Sequence, residues 1–211
     1  MSDIDVVSIV SGGPSASLVD LASVPGFVIG VNNAALHLTR IDGAITMDRR
    51  WSEAHWPYFL EKAGAIKLWM RPNNVMRLKK LPEWKPDWVT VYQCDHTSHR
   101  MSDEPGKFNG TNSGGVALNL AYQMQPKKLY LFGFDYRPGP KQEMHWFARG
   151  ETGRVGDYPI HTGRYGNWAR EFNDVGLQFR AKGIDVVNVS SISLVTAFRK
   201  MSPAEYMKGA R

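Results

Sequence analysis

Short apolar segments that alternate with amphipathic ones constrain the fold more than any other feature of this sequence. Several of the apolar segments lack regularly spaced polar residues, which is typical of strands buried on both faces of a parallel sheet. The predicted strands are Val6–Val10, Phe27–Val31, Ala44–Met47, Ile66–Met70, Trp88–Gln93, Leu129–Phe132 and Asp185–Val189. The predicted helices are Ala16–Ala22, Ser52–Lys62, Ser113–Gln123 and Trp168–Lys182. This alternation predicts an α/β fold with a doubly wound, mostly parallel sheet.

The size and composition predict one domain over residues 1–211. A hydrophobic content of 43% and a charged content of 22% are ordinary for a globular chain with one core. Apolar stretches such as Phe27–Val31 are too short to cross a bilayer, and the N-terminus lacks the pattern of a secretory signal. The single cysteine, Cys94, cannot form an intrachain disulfide. We therefore expect a cytoplasmic protein without a membrane span.

The net charge of +6 favours anionic ligands but does not single out nucleic acid. Lysine and arginine are scattered, and their densest cluster, Met76–Lys80, is typical of the solvated face of a short helix. Nucleic acid is therefore not the expected partner, although the sequence does not exclude it. The sequence also leaves open a homo-oligomer.

The first predicted strand ends in a glycine turn, Ser11-Gly12-Gly13-Pro14-Ser15. Two glycines would let a phosphate approach the backbone, and the predicted helix behind them would present free N–H groups to it. Ser15 is a candidate N-cap whose hydroxyl could be shared with a ligand. The alternative is a plain turn before a capped helix.

A second predicted helix begins in the same way, at Gly110–Gly115. Asn112 and Ser113 can cap this helix and point donors at an anion, while Gly114 leaves room for one. An ordinary helix cap is again the alternative.

Polar residues also follow other predicted strands, where ligands bind in such folds. The carboxamide of Asn32 could bind a base or a ribose. Alternatively, Asn32 only forms part of a turn. Asp48 could hold a ribose hydroxyl, a metal ion or a neighbouring arginine. Gly133 and Asp135 follow the sixth strand, and we interpret Asp135 as a buried structural carboxylate rather than a catalytic one.

The segment 137–167 is a long polar loop with interspersed aromatic residues, which predicts a lid or binding loop. His161 stands just before the last long helix, where it could act as a general acid or base. The lid residues that could contact a ligand are Arg137, Trp146, Arg154 and Tyr158. We expect no metal site, since Cys94, His96 and His99 lack a second ligand pair at a zinc-binding spacing.

Five segments, taken in order, resemble the bacterial sialyltransferases of glycosyltransferase family 42. They are SGGPSASL, GVNNA, TNSGGVALNLA, KKLYLFGFDY and IHTGRYGNWAREF. The wider group that shares these blocks includes motility-associated glycosyltransferases and an archaeal-type pterin diphosphokinase. The resemblance spans nearly the whole chain and implies a Rossmann-like domain that binds a nucleotide.

The resemblance further implies a glycosyltransferase that uses a CMP-sugar donor and a hydroxyl acceptor and has no strict metal requirement. The donor-binding positions fall on Gly12, Gly13, Asn32, Asn112, Ser113 and Gly114, and a further family asparagine falls near Asp48. The family's general base, which deprotonates the acceptor hydroxyl, falls on His161. This chain departs from the family at Gly12 and Asp48, which replace asparagines, and at Arg137, which replaces a tyrosine.

Two alternatives remain open from the sequence. One is an ATP-dependent, diphosphokinase-like transferase, in which Asp48 and Asp135 would hold Mg²⁺. The other is a binding module without catalytic activity on the same fold.

Overall fold

The computed structural model describes residues 4–61, 66–70, 88–147 and 162–209. Three of the predicted site residues, His161, Arg154 and Tyr158, lie outside the described residues.

Eight of the described strands form one sheet in which every neighbouring pair is parallel. They are β1 (Val6–Val10), β2 (Phe27–Val31), β3 (Gly43–Thr46), β4 (Lys67–Met70), β5 (Val89–Val91), β8 (Lys128–Phe132), β9 (Asp185–Val189) and β10 (Arg199–Met201). Two more, β6 (Gln93–Asp95) and β7 (Lys107–Asn109), form a separate parallel pair. The order of the large sheet is β10-β9-β8-β1-β2-β3-β4-β5, which confirms the predicted doubly wound, Rossmann-like fold.

Helices cover both faces of the large sheet. The described α-helices are α1 (Ala34–His37), α2 (Arg49–Glu61), α3 (Ser113–Met124), α4 (Tyr165–Ala181) and α5 (Pro203–Gly209). Because side chains alternate along a strand, Ile9 packs into the core beneath α3 and α4, whereas Val10 packs into the core on the opposite face. Both residues are fully buried, as their uninterrupted apolar segment predicts.

The predicted helix Ala16–Ala22 is wrong. Two short 3-10 turns, Pro14–Leu18 and Leu21–Ser23, replace it. Local side chains satisfy the backbone in a way that competes with an α-helix, since the Ser17 hydroxyl donates to the carbonyl of Pro14 and Asp20 accepts from the amide of Ala22.

Other boundaries differ from the prediction for physical reasons. The predicted strand Trp88–Gln93 is divided between β5 and β6, which belong to different sheets. Helix α4 begins at Tyr165, so the last three residues of the predicted lid are helical. The three-residue strands β7 and β10 were not predicted, because segments such as Arg-Lys-Met have no apolar pattern and are held by their neighbours in the sheet.

The sheet order reverses between β1 and β8, where the chain leaves β1 toward β2 and later returns on its other side. In open parallel sheets, ligands bind beyond the carboxyl ends of the strands near such a reversal. Among the described helices, none is long and apolar enough to cross a membrane.

Candidate functional site

The loops that follow β1 and β8 are bonded to each other at the reversal point. The amide of Ser11 donates to the carbonyl of Phe132 at 2.8 Å, and the amide of Gly13 donates to the carbonyl of Gly133 at 2.9 Å. A Cβ atom at Gly13 would lie 2.5 Å from the Gly133 oxygen, so only glycine fits this crossing. Gly133 itself has a φ of +69°, in the left-handed region that favours glycine.

Asp135 is fully buried beneath the first glycine turn and holds it in place. One carboxylate oxygen accepts from the amide of Ser15 at 2.8 Å; the other accepts from the Ser15 hydroxyl at 2.7 Å and from the Ser190 hydroxyl. These bonds support the interpretation of Asp135 as a structural carboxylate. Ser15 is not the predicted N-cap, because that position belongs to Gly13 and the Ser15 hydroxyl faces Asp135 instead.

The first glycine turn does not present the free N–H groups that the sequence predicts. The amides of Gly13 and Ser15 are bonded to the loop after β8, and the amide of Ala16 donates to the carbonyl of Gly13. Pro14 has no N–H to donate. The amides of Gly13, Ser15 and Ala16 are therefore not available to bind a phosphate, and the prediction that they do so is wrong. Contact of Gly12 or Gly13 with a ligand through other atoms stays a prediction.

Aromatic side chains from the start of the predicted lid cover Gly12. The Trp146 indole donates to the carbonyl of Ser11 at 2.8 Å, and the Trp146 amide donates to the carbonyl of Gly12 at 3.1 Å. The rings of His145, Phe147 and His37 form a stack, with centroids 5.1 and 4.7 Å apart.

This stack accounts for the glycine at position 12. A Cβ atom there would lie 2.8 Å from Nδ1 of His145. The ring of His145 therefore occupies the space that the asparagine of the resembled family would need. Arg137, another predicted lid residue, is exposed.

The N-terminus of α3 has the features predicted for an anion site. Asn112 is the N-cap, and its side-chain oxygen accepts from the amide of Gly115 at 3.1 Å. The Ser113 hydroxyl accepts from the amide of Met47 at 3.2 Å, which places the helix end beside the carboxyl end of β3. Among the described residues, the amides of Ser113 and Gly114 have no acceptor.

Asn32, which follows β2, has an unsatisfied carboxamide. Its side-chain oxygen is buried and has no hydrogen-bond partner within the described part of the chain. Its φ of +50° is one that asparagine tolerates. The adjacent Asn33 differs, because its side-chain oxygen accepts from the Trp51 indole at 2.6 Å. A buried acceptor without a partner is costly, and a ligand donor at Asn32 would remove that cost.

Asp48 forms a helix cap at the end of β3. Its side chain accepts from the amide of Trp51 at 3.3 Å, and its own amide donates to the Thr46 hydroxyl at 2.9 Å. These bonds fix the start of α2. Binding of a ribose hydroxyl or a metal ion by Asp48 stays a prediction.

Glu171 is a buried carboxylate at this site that sequence reasoning did not assign a role. It lies on α4 with 2% of its surface exposed, and it accepts hydrogen bonds from the amide and hydroxyl of Thr111 and from the side-chain amide of Asn112. Burial raises its pKa, against the lowering effect of the Thr111 hydrogen bonds. A charged residue on the apolar face formed by Trp168, Phe172 and Val175 is the signal that could have identified it.

Tyr136 adds a hydroxyl at the same helix end. Its oxygen lies 3.4 Å from Oδ1 of Asn112, and a Cβ atom at Gly114 would lie 2.9 Å from it. Burial, followed by the charge of Glu171 and the proximity of Tyr165, raises the Tyr136 pKa well above its ordinary value. Tyr136 therefore stays neutral and can donate a hydrogen bond.

We expect the stability of the wild type relative to Glu171→Gln to fall as the pH rises above the ordinary pKa of a glutamate. The folded-state pKa of Glu171 lies above its ordinary value, so the folded state binds the proton more tightly than the unfolded state. The stabilising contribution is complete below the unfolded pKa and is lost as the pH rises through the folded pKa. Urea unfolding of both proteins at several pH values measures this difference, and parallel curves would contradict it.

The predicted weak metal pattern is dispersed in the structure. Cys94 Sγ lies 3.4 Å from Nδ1 of His96, whereas His99 pairs with Asp174 at 3.7 Å. Within the described ranges, no three His, Cys, Asp or Glu side chains are grouped as metal ligands would be.

Comparison with protein-family models, with curated proteins and with solved structures found no match for this chain. The family resemblance and the activity that it implies therefore stay predictions.

Proposed function

We propose that this protein is a glycosyltransferase-like enzyme that uses a nucleotide-activated sugar, with a CMP-sugar as the first candidate donor. The observation that carries the proposal is the buried side-chain oxygen of Asn32 at the carboxyl edge of the sheet, which has no hydrogen-bond partner among residues 4–61, 66–70, 88–147 and 162–209. An amino group of a base, or a ribose hydroxyl, would satisfy this acceptor.

The N-terminus of α3 supplies the proposed position for the donor phosphate. The amides of Ser113 and Gly114, which have no acceptor in the part of the chain that the structure describes, and the positive end of a 12-residue helix favour a negative charge there. Ser113 contacts the end of β3, and β3 is the neighbour of the strand that Asn32 follows. One nucleotide could therefore bridge the two groups along the same edge. The hydroxyl of Tyr136, next to Gly114, donates to Oδ1 of Asn112 at 3.4 Å and would have to turn from it to donate to the phosphate.

His161 is the proposed general base, on the basis of the family resemblance. It would accept the proton of the acceptor hydroxyl as that oxygen attacks the anomeric carbon, and the bond from this carbon to the phosphate oxygen would break to release the nucleotide. Three residues, 162–164, lie between His161 and the start of α4 in the sequence, and Glu171 on this helix is bonded to the loop that opens α3. This connection supports a shared site for the base and the phosphate.

The magnesium-dependent diphosphokinase has less support. Both carboxylate oxygens of Asp135 accept hydrogen bonds from groups of the fold, and Asp48 caps α2. Using Asp135 as a Mg²⁺ ligand would require breaking its bonds to Ser15 or Ser190.

We expect CMP to raise the melting temperature of the wild type more than AMP, GMP or UMP does, with or without Mg²⁺. Asn32→Gly should lose most of the CMP shift, because it removes the free carboxamide while glycine accepts the positive φ. Differential scanning fluorimetry with the four nucleotides measures both effects. The melting temperature of the ligand-free variant should stay close to that of the wild type, because the side-chain oxygen of Asn32 makes no hydrogen bond in the described structure.

The matched control is Asn33→Ala, which removes the bond to the Trp51 indole and should lower the melting temperature without removing the response to CMP. His161→Ala should reduce sugar transfer by about 100-fold or more while the CMP shift remains. A rise in melting temperature with ATP and Mg²⁺ but not with CMP would favour the magnesium-dependent diphosphokinase over the proposed glycosyltransferase. No response to any nucleotide, and no turnover of nucleotide sugars, would favour a binding module without catalytic activity.

A further inference from the structure

We propose that Phe147 is an internal competitor for the base of a nucleotide. Its ring lies on the imidazole rings of His37 and His145, in the position where a bound base would stack. The inference rests on the proposed function, because it takes a nucleotide as the ligand. It adds a base-stacking site beside Asn32, which a side chain of the protein itself fills in this structure.

The ring of Phe147 stacks on two imidazole rings. It is inclined by 11° to the ring of His37 and by 7° to the ring of His145, with centroids 4.7 and 5.1 Å away. Proteins bind unpaired bases by stacking them on aromatic side chains, and histidine is one of the residues that they use. The two histidines therefore offer a surface that suits a flat base as well as a phenyl ring.

This stack stands at the part of the sheet edge where the proposed contact with a base or ribose lies. The register of the adjacent strands β1 and β2 places Gly12 and Asn32 at the same level, each two residues beyond a paired couple. A Cβ atom at Gly12 would lie 3.5 Å from Cζ of Phe147. His37 is the last residue of α1, the helix that follows Asn32. A base held by Asn32 would therefore lie beside the stack.

The present arrangement buries two polar atoms at a cost that a nucleotide would remove. Oδ1 of Asn32 and Nε2 of His37 are buried and have no hydrogen-bond partner within the described residues. A phenyl ring has no polar group to offer, whereas a base carries amino groups that could donate to Asn32. The rings of Phe147 and Trp146 both contact His37, so their withdrawal would let water or a ribose hydroxyl reach its nitrogen.

The backbone of this segment is fixed more firmly than the ring of Phe147. The Trp146 indole donates to the carbonyl of Ser11 at 2.8 Å, and the Trp146 amide donates to the carbonyl of Gly12 at 3.1 Å. The phenyl ring is held by packing and can turn about two side-chain bonds while these hydrogen bonds remain. A base that stacks on the histidines binds only the molecules in which the ring has turned away, and its apparent dissociation constant rises accordingly.

Isothermal titration calorimetry with CMP tests this competition through the sign of the effect. Phe147→Ala should bind CMP about threefold or more tightly than the wild type, because the competing ring is gone. A side chain that only forms a wall of the ligand site would give the opposite sign when truncated. Equal or weaker binding by Phe147→Ala would therefore overturn the proposal.

The matched control is Met201→Ala, which shortens a partly buried side chain that packs against the same core as Phe147. Met201 lies on β10, which β8 and β9 separate from β1. The affinity of Met201→Ala for CMP should equal that of the wild type. A gain as large as that of Phe147→Ala would overturn the proposal, because it would show a general effect of loosening the core.

Substitutions of His37 test the stacking surface, and they are made in the Phe147→Ala background, where the competitor is absent. His37→Ala should weaken CMP binding by about fivefold or more, because a stacked base loses its support. His37→Phe should recover most of this loss, because it keeps an aromatic face and removes both ring nitrogens. Equal weakening by the two substitutions would overturn the assignment of His37 as a stacking residue.

A second measurement needs only the wild type, should a variant fail to fold. Nuclear Overhauser effects between the ring protons of Phe147 and His37 should disappear at saturating CMP, and effects between the cytosine protons and His37 should replace them. CMP binding that leaves the contact between Phe147 and His37 unchanged would overturn this inference alone. Absence of CMP binding by both the wild type and Phe147→Ala would overturn the proposed function and this inference with it.

Discussion

Replacing Asp135 with alanine is expected to lower the free energy of unfolding by about 3 kcal/mol or more. The substitution leaves three buried donors without their acceptor, namely the amide and hydroxyl of Ser15 and the hydroxyl of Ser190. A hydrogen bond to a charged group contributes about 1.5–3 kcal/mol, and unsatisfied buried donors add a desolvation cost. Urea denaturation followed by circular dichroism measures the loss.

The matched control for Asp135→Ala is Ser15→Ala, which removes one hydroxyl donor and leaves the carboxylate bonded to the Ser15 amide and to the Ser190 hydroxyl. We expect this variant to lose only about 1–2 kcal/mol. A loss for Asp135→Ala that is no larger than the loss for Ser15→Ala would show that the bonds to the Ser15 amide and to Ser190 contribute little to stability.

Gly13→Ala is expected to destabilise the protein by about 3 kcal/mol, and Gly12→Ala by less than about 1 kcal/mol. A Cβ atom at Gly13 would meet the carbonyl oxygen of Gly133 at 2.5 Å and its carbon at 2.9 Å, and both belong to backbone that is fixed by the sheet. A Cβ atom at Gly12 would meet side chains, the nearest being the ring of His145 at 2.8 Å, and side chains can shift at a lower cost than backbone that the sheet fixes.

Thermal and urea unfolding of the two glycine variants, measured side by side, tests this difference between adjacent residues. Equal losses would mean that the loops after β1 and β8 can separate to admit a side chain at Gly13. A larger loss at Gly12 would mean instead that the aromatic cover formed by His145 and Phe147 contributes more to stability than the crossing of the two loops.

The fold class could be predicted because the apolar pattern that indicates buried strands lies within short segments of the sequence. A fully buried strand such as Val6–Val10 must be apolar on both faces, and its sequence shows this directly. The short strands β7 and β10 carry no such signal, since their positions depend on hydrogen bonds to neighbouring strands. The helix predicted at Ala16–Ala22 is wrong because hydrogen bonds of the Ser17 and Asp20 side chains to the nearby backbone compete with helix formation.

The candidate site was predictable in part for a related reason. The capping bond of Asn112 is accepted from the amide of Gly115, three residues away, so the local sequence contains this partner. The amide of Ser15 bonds to Asp135, which is 120 residues away, and no local pattern indicates that distant bond. The partners of Glu171 could likewise not be predicted, since Thr111 and Asn112 belong to another helix and its loop.

The bonded loops after β1 and β8 also bear on how sequences of this kind are classified. Gly13 and Ser15 on one loop need Gly133 and Asp135 on the other, whatever ligand is present or absent. A Gly-Pro-Ser block and a distant Gly-x-Asp block should therefore occur together as a signature of the architecture. Their joint presence carries no information about the donor, and substrate assignment must depend on positions outside the pair, such as Asn32.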